Sequence, residues 1–325
     1  GHPVPDARGV RAGRAVMALL DQAGRNDLIL LLLSGGASAL MPAPVEGVTL
    51  QDKQRLTRLL LRRGANIEEL NAVRKGLSRF KGGGFARLAA PARVVTLALS
   101  DVPGDDPGTI GSGPTVEDPG ARRLARRAIR KYFGSVGVPD RVLRALEHPG
   151  GKRAGRHSRI AVIGSGTTFA KAAAQEARSR GFRVSVRTNA LRGEARACGP
   201  ALVTAFLALA RPACLIATGE TVVTVTGKGQ GGRNQELALA SLDALARSNR
   251  PVVLSSLATD GIDGRSRASG GIVDDQTAKI AQSLGVSVSR SLARNDSFRA
   301  LERLQALLVT GPTGTNVADV TVILG

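Results

Sequence analysis

The chain has 325 residues, 42% hydrophobic and 22% charged, which is ordinary globular composition and long enough for two cored domains. Two cysteines, Cys198 and Cys214, have neither the number for a disulfide framework nor the CxxC spacing of a redox or zinc site. The net charge of +20 divides as +11 over residues 1–155 and +9 over residues 156–325, so it forms no basic tail.

Apolar runs alternate with helical spacing, which predicts α/β architecture. Leu28 to Leu33 reads as a parallel strand buried on both faces, ending in Ser34-Gly35-Gly36-Ala37-Ser38. Residues 51–63 and 66–80 have helical spacing, and Val94 to Leu99 reads as a second buried strand ending at Ser100-Asp101. Residues 121–133 predict a helix, and its RRLARRAIRK run reads as a solvated basic face. The stretch His148 to His157 reads as a linker.

A second unit is predicted to follow. Strands are expected at Ile160–Ile163 and Arg183–Arg187, with helices at 168–180 and 195–210. Two strands, Cys214–Ala217 and Val222–Thr226, are expected to join through Gly219-Glu220. A Gly-rich turn at 227–232 then leads into a helix near 234–247. A buried strand at Val252–Leu257 ends at Thr259-Asp260-Gly261. Helices at 274–284 and 296–308 and a strand at Val320–Leu324 close the chain. No apolar run is long enough to span a membrane, no signal peptide is visible, and a cytoplasmic location is the default expectation.

In an open α/β sheet ligands bind beyond the carboxyl ends of strands, and four features fall there. The Ser34–Ser38 loop could bring backbone amides to an anion, or be a tight turn. Asp101, Asp105 and Asp106 could supply a base or an Mg²⁺ ligand, or merely cap turns. The third feature is Gly219-Glu220 with Gly227 to Glu236, a loop around a phosphoryl group or else a hairpin loop with a surface Arg. Its glycines have no evident structural need, so it reads as a flexible phosphate loop in which Arg233 supplies a forked donor. Asp260 stands where a carboxylate could orient a hydroxyl or metal, although Asp260-Gly261 and Asp263-Gly264 could equally be turns. No GxxxxGK[ST] and no GxSxG string exists. Gly164-Ser165-Gly166-Thr167-Thr168-Phe169 imitates a dinucleotide fingerprint but lacks its third Gly, and no acidic residue follows the next strand.

Several strings taken together are specific. GHPVPD (1–6), SGGASAL (34–40), NAVRKGLSRFKGG (71–83), SDVPGDDPGTIGSGPTVED (100–118), TGETVVTVTGKGQGGRNQE (218–236), TDGIDG (259–264), RNDSF (294–298) and TGPTGTNVADV (310–320) resemble, in order, the glycerate 2-kinase family. The later part resembles that family's C-terminal MOFRL domain, over about 213–320.

The resemblance implies a Rossmann-like three-layer N-terminal domain (1–155) plus a mixed α/β MOFRL-like C-terminal domain (156–325), with the active site in a cleft between them. It implies phosphorylation of D-glycerate at its C2 hydroxyl, with ATP and Mg²⁺. Catalytic roles fall on Arg233, Asp101 and Asp260, the two aspartates also being the metal candidates. Substrate binding falls on Ser34, Gly35, Gly36, Ser38, Arg74, Lys75 and Lys81. Nucleotide binding falls on Glu220, Gly229, Gly231, Gly232, Asn234, Thr313 and Asn316.

No nucleic-acid or membrane partner is expected, and homo-oligomerisation is left open. The alternatives weighed are an NADP-linked hydroxypyruvate reductase and a non-catalytic basic anion- or nucleic-acid-binding protein. Two departures from the family pattern, Val222 and Ala268-Ser269-Gly270-Gly271, are expected to alter loop packing only. The family also carries an N-terminal segment with an active-site Lys ahead of the position of Gly1. The expectation is that these 325 residues alone expose apolar surface, fold imperfectly or self-associate, and phosphorylate glycerate slowly or not at all.

Overall fold

A computed structural model describes residues 5–134, 137–147 and 158–325. The linker expected at His148–His157 lies outside the described residues, as do positions 1–4 of the GHPVPD string. The chain divides into two compact units. The first holds Gly1–Ala98 and Asp105–Ile163, and the second holds Leu99–Gly104 and Gly164–Gly325.

The first unit begins with α1 (Ala7–Asp21), β1 (Leu28–Leu33), the single turn α2 (Ala37–Leu40), α3 (Leu50–Arg62), α4 (Ile67–Gly76) and α5 (Gly84–Ala89). It continues with β2 (Arg93–Ser100), α6 (Ala121–Phe133), α7 (Asp140–Glu147) and β3 (Ser158–Ser165), the last residues of β2 and β3 belonging to the second unit. Its sheet has the order β1-β2-β3, with β1 and β2 parallel from Leu28↔Arg93 to Leu33↔Ala98.

Helix starts follow side-chain chemistry. Thr49 and Asp52 form a capping box on α3, and Asn66 and Glu69 form one on α4. The apolar faces of α3, α4, α6 and α7 close around Leu56, Leu60, Val73, Leu77, Ile129 and Leu146. On α6 the basic residues Arg123, Arg126, Arg127 and Arg130 are exposed while Ala125, Ala128 and Ile129 are buried, as a solvated basic face requires.

The structure corrects one expectation here. β1 is parallel, but it is not buried on both faces. Ile29 and Leu31 pack with α1 and α5 through Val16, Leu20, Phe85 and Ala89, whereas Leu28, Leu30 and Leu32 are 58%, 55% and 71% exposed. Among the described residues, helices pack on only one face of this strand.

Asp52 also ties α3 to α7. Arg141 donates Nε and Nη2 to its two carboxylate oxygens at 2.8 and 2.7 Å. These bonds hold the Asp52 carboxyl well below the usual carboxylate range. A lowered acid pKa stabilises the fold at neutral pH, and that contribution is lost as the pH falls below about 4. Asp52→Asn is therefore expected to lower the Tm at neutral pH and to approach the wild-type Tm in acid. Thermal melts that keep the same gap at both pH values would show that the pair contributes no acid sensitivity.

The second unit runs α8 (Gly166–Ser179), β4 (Arg183–Leu191), α9 (Ala195–Leu207), β5 (Ala213–Gly219), α10 (Arg233–Ala246), β6 (Val253–Ala258) and β7 (Gly270–Asp274). Then come α11 (Asp275–Ser283), α12 (Val288–Ala293), α13 (Ser297–Arg303), the two-residue β8 (Leu307–Leu308) and β9 (Asp319–Leu324). The sheet order is β4-β5-β9-β6-β7-β8. β4 and β5 are parallel, and β9 is antiparallel to both neighbours, β5 and β6. β5 is buried along its whole length, and Cys214 on it is a small core residue. One face packs on α9 and α10 around Phe206, Leu237 and Leu242, the other on α8 around Ala170 and Ala174.

Three further expectations are corrected. Val222–Thr226 is not a strand: it makes only an isolated bridge between Glu194 and Val222, because the backbone of Val222 pairs with Gly193 and Ala195. The Val222 side chain itself is 56% exposed. Ala268–Gly271 is only half loop. Its glycines open β7, where a Cβ on Gly270 would lie 1.8 Å from the Ser256 carbonyl oxygen on β6. The helix expected over 296–308 is instead α13 followed by β8.

Candidate active site

In the second unit, Arg233 is the first residue of α10, and the walls of its site come from the ends of β5, β6 and β9. Asp319 opens β9 and is almost wholly buried. It receives Nε of Arg233 at 2.5 Å and Nη2 at 3.0 Å, a fork on one carboxylate. Nη1 lies 2.6 Å from Glu220 Oε1, just past the end of β5. A guanidinium has five N–H donors, and these contacts use three of them, so two are left. Burial disfavours the Arg233 charge, but the bonds and charge of Asp319, aided by Glu220, outweigh it and raise its pKa. Burial pushes the Asp319 carboxyl up, against the pull of Arg233. The Glu220 carboxyl is also raised, by burial first. Arg233 opposes this, and the negative charges of Asp319, Asp101 and Asp260 add to it. Asp101 and Asp260 therefore share this site.

Asp260 accepts Ile262 N–H at 3.0 Å on Oδ1, and Asp101 takes a long contact of 3.5 Å from Asn316 Nδ2 on Oδ2. Each thus keeps an oxygen with no hydrogen bond from the described residues. The other two aspartates of the 101–106 string fall in the first unit. There Asp106 caps a turn, accepting Gly108 N–H at 3.2 Å and the Thr109 hydroxyl at 2.6 Å. Thr313 shapes the Asp260 turn: its N–H donates to Asp260 O at 3.1 Å and its hydroxyl to Thr259 O at 2.6 Å.

The start of α10 is fixed by Asp263, the second aspartate of TDGIDG, which sequence reasoning left as a turn residue. Its buried carboxylate accepts the N–H groups of Asn234 and Gln235 at 3.2 and 2.8 Å, and Gln235 Nε2 at 2.9 Å. Asn234 lines no open surface. It is buried, donating to Asp263 and accepting from Ser256 Oγ at 2.7 Å, so its side chain positions the helix that carries Arg233.

The Gly-rich segment is likewise tethered by hydrogen bonds, and its glycines have a structural cause. A Cβ on Gly227 would lie 2.1 Å from Arg294 O, and one on Gly232 would lie 2.3 Å from Asp263 Cγ. Gly229 and Gly231 press on Asp296 and Ser297 in the same way. The RNDSF string does the holding. Asn295 Oδ1 accepts Thr226 and Gly227 N–H, both at 2.8 Å, and Asp296 Oδ1 accepts Gln230 N–H at 3.0 Å.

In the first unit, Gly36, Ser38, Arg74 and Lys81 line one cavity of about 740 Å³. Lys81 Nζ donates to Ser38 Oγ, which lies 3.1 Å from Ser112 Oγ. Ser34 is exposed at the end of β1, and Gly35 and Gly36 form the turn after it, with Gly36 at φ 78°. Lys75 is turned away to Asp118 at 2.7 Å. Lys53, in the 51–63 segment read from sequence only for its helical spacing, also lines this cavity.

The turn that imitates a dinucleotide fingerprint opens α8, where Ser165 Oγ accepts Thr168 N–H as a helix cap. Among the described residues, no group of three His, Cys, Asp or Glu residues could hold a metal, and no helix is long and apolar enough to cross a membrane.

These features define a two-unit α/β protein whose strand ends present a preset guanidinium among carboxylates. A family model described as a domain of unknown function, DUF4147, matches residues 1–147, and the MOFRL family model matches residues 213–319. The D-glycerate 2-kinase of Thermotoga maritima is 44% identical over 329 residues, covering 99% of this chain and 78% of that protein. The glycerate 2-kinase of Pyrococcus horikoshii is 36% identical, covering 100% and 76%. The crystal structure of glycerate kinase from Thermotoga maritima superposes with a TM-score of 0.92 at 43% identity, covering all of this chain and 79% of that one. The chain belongs to the glycerate 2-kinase family.

Proposed function

We propose that this chain transfers the γ-phosphoryl group of ATP to the C2 hydroxyl of D-glycerate, giving 2-phosphoglycerate. The observation that carries the reading is Arg233, preset by Asp319 and Glu220 with two N–H donors still available, beside Asp101 and Asp260. The family relatives named as glycerate kinases support the substrate. In the reaction the C2 oxygen bonds to phosphorus, the bond from phosphorus to the β-phosphate oxygen breaks, ADP leaves, and the hydroxyl proton passes to a carboxylate. Arg233 offsets charge gathering on the transferred oxygens, where a fixed forked donor acts without reorganising.

The carboxylates fit a magnesium ion carried by nucleotide. Mg²⁺ is commonly held by one or two carboxylates plus substrate phosphates, and Asp101 and Asp260 each have an uncommitted oxygen. The mutual repulsion of the acidic groups around Glu220 favours a cation there. Such an ion would neutralise phosphate charge.

Asp101 and Asp260 divide metal holding and proton acceptance. The Asn variant of the metal-holding residue is expected to raise the Mg²⁺ concentration needed for half-maximal rate. The Asn variant of the proton acceptor is expected to lower kcat with that requirement unchanged. Normal kinetics in both would remove the pair from the mechanism. The reaction itself is tested by mixing the protein with ATP and D-glycerate and following the product by phosphorus NMR. 2-Phosphoglycerate is expected; 3-phosphoglycerate would overturn the assignment of the acceptor hydroxyl, and no turnover would overturn the reading.

A further inference from the structure

The cavity of the first unit carries a concentration of positive charge that the phosphoryl-handling residues do not explain. Four cationic side chains line it: Lys53 and Arg58 from α3, Arg74 from α4, and Lys81 from the segment before α5. Among the described residues, no acidic side chain lines it. The acids nearest in sequence are committed elsewhere. Asp52 is held by Arg141, and Glu69 by Lys131 and Tyr132. Lys75, on the last turn of α4, is neutralised by Asp118. Lys53, Arg74 and Lys81 therefore face one another without a carboxylate.

The cost of that arrangement is visible. Burial lowers the pKa of Lys81 well below the usual lysine range, and the charges of Lys53, Arg74 and Lys75 lower it further. Burial and the charge of Arg74 lower Lys53 to about 8. The hydrogen bonds are also incomplete. Lys53 Nζ donates to Leu77 O at 2.9 Å, and Lys81 Nζ to Ser38 Oγ, leaving ammonium protons on both without a protein acceptor. Desolvated cations with spare donors, in a pocket partly walled by Leu50 and Leu61, suit an anion carried on a short carbon chain.

We propose that Lys53 joins Arg74 and Lys81, which the family resemblance already gives to the substrate, in holding the carboxylate of the acceptor acid in this cavity, and that Lys53 makes recognition depend on that charge. The proposal rests on the hydroxy-acid kinase reading above and adds the residue that selects an acid over the corresponding neutral alcohol. A carboxylate placed among these groups favours their protonated forms, so binding takes up protons where Lys53 is partly neutral, near pH 8. Affinity for the acid falls as the pH rises further.

The test is calorimetric titration of the whole chain with D-glycerate, without nucleotide, at about pH 7 and about pH 9 in buffers of different ionisation enthalpy. Glycerol is the uncharged control. The wild type is expected to bind D-glycerate but not glycerol, with proton uptake that grows towards the alkaline side. Lys53→Met is expected to weaken binding by about tenfold or more and to raise KM for glycerate, with KM for ATP unchanged. Lys53→Arg cannot lose its charge in this range. It is expected to keep binding, to reduce the proton uptake and to flatten the alkaline loss, which a merely structural role would not do.

Binding of glycerol as strong as that of glycerate, or wild-type affinity and KM in a folded Lys53→Met, would overturn the proposal. So would failure of the wild type to bind any acid of a panel that includes lactate, glycolate and tartronate. If another 2-hydroxy acid binds through Lys53 while D-glycerate does not, the choice of substrate falls and the cavity's role stands. If Lys53→Met phosphorylates glycerate with the wild-type KM, the cavity's role falls and the reaction stands.

Discussion

Replacing Arg233 by Lys is expected to slow phosphoryl transfer about 100- to 1,000-fold, nearly as much as replacing it by Ala, since one preorganised donor is worth about 2.7–4 kcal/mol in the transition state. An ammonium at this position cannot divide its donors between the Asp319 fork, Glu220 and a phosphoryl oxygen, because it lacks the planar geometry that serves all three. The Ala variant carries a second penalty. It leaves the buried Asp319 carboxylate without its partner, a loss of about 3–5 kcal/mol when one half of a buried pair is removed. Arg233→Ala combined with Asp319→Asn should recover much of that stability and none of the turnover. Urea unfolding read beside kcat separates the two effects. Near-normal kcat in the Lys variant would show that the guanidinium fork has no catalytic part.

Asp263→Ala is expected to be at least as damaging to the fold, costing about 3 kcal/mol or more. The variant strands the buried N–H groups of Asn234 and Gln235, at about 1–3 kcal/mol each, whereas Gln235 Nε2 keeps Ser266 Oγ and the Asp263 carbonyl as acceptors. It also removes the acidic group at the N-terminal end of α10, where the helix dipole favours it. Arg233 is the first residue of that helix, so activity should fall with stability. Denaturant melts showing wild-type stability in Asp263→Ala would mean that other groups satisfy these donors and that Gly232 alone sets the helix start.

Much of the site was readable in the chain because its parts lie in short strings at strand ends. Arg233 follows a dense run of glycines, and Asp101 and Asp260 each close an apolar strand, so residue type and place agreed. The reason for the glycines was not readable. Gly227, Gly229 and Gly231 make room for Arg294 to Ser297, some 65 residues later, and Gly232 for Asp263, which only the folded chain shows. Asp319 had a signal in retrospect, a lone acid opening the otherwise uncharged strand Asp-Val-Thr-Val-Ile-Leu, but nothing local marks its partner. Lys53 had none, since a lysine on an amphipathic helix is usually solvated; here α4 and the Ser38 turn close over it. The same limit explains β1. Six consecutive apolar residues specify a strand well, but how many faces are covered depends on which helices pack there.

The place of β9 has a consequence for the order in which the second unit can form as it is made. A chain grows from its N-terminus, so β5 and β6 both leave the ribosome before the strand that joins them edge to edge. Until residues 319–324 emerge, some sixty positions after β6, two apolar strands wait with unpaired edges, the kind of species that invites misassembly. Arg233 waits as well, because Asp319 arrives on that same strand. The Arg233 guanidinium and the middle of the sheet are thus completed in one late event, and a nascent chain halted before β9 holds the loops of the candidate site without the carboxylate that orients Arg233.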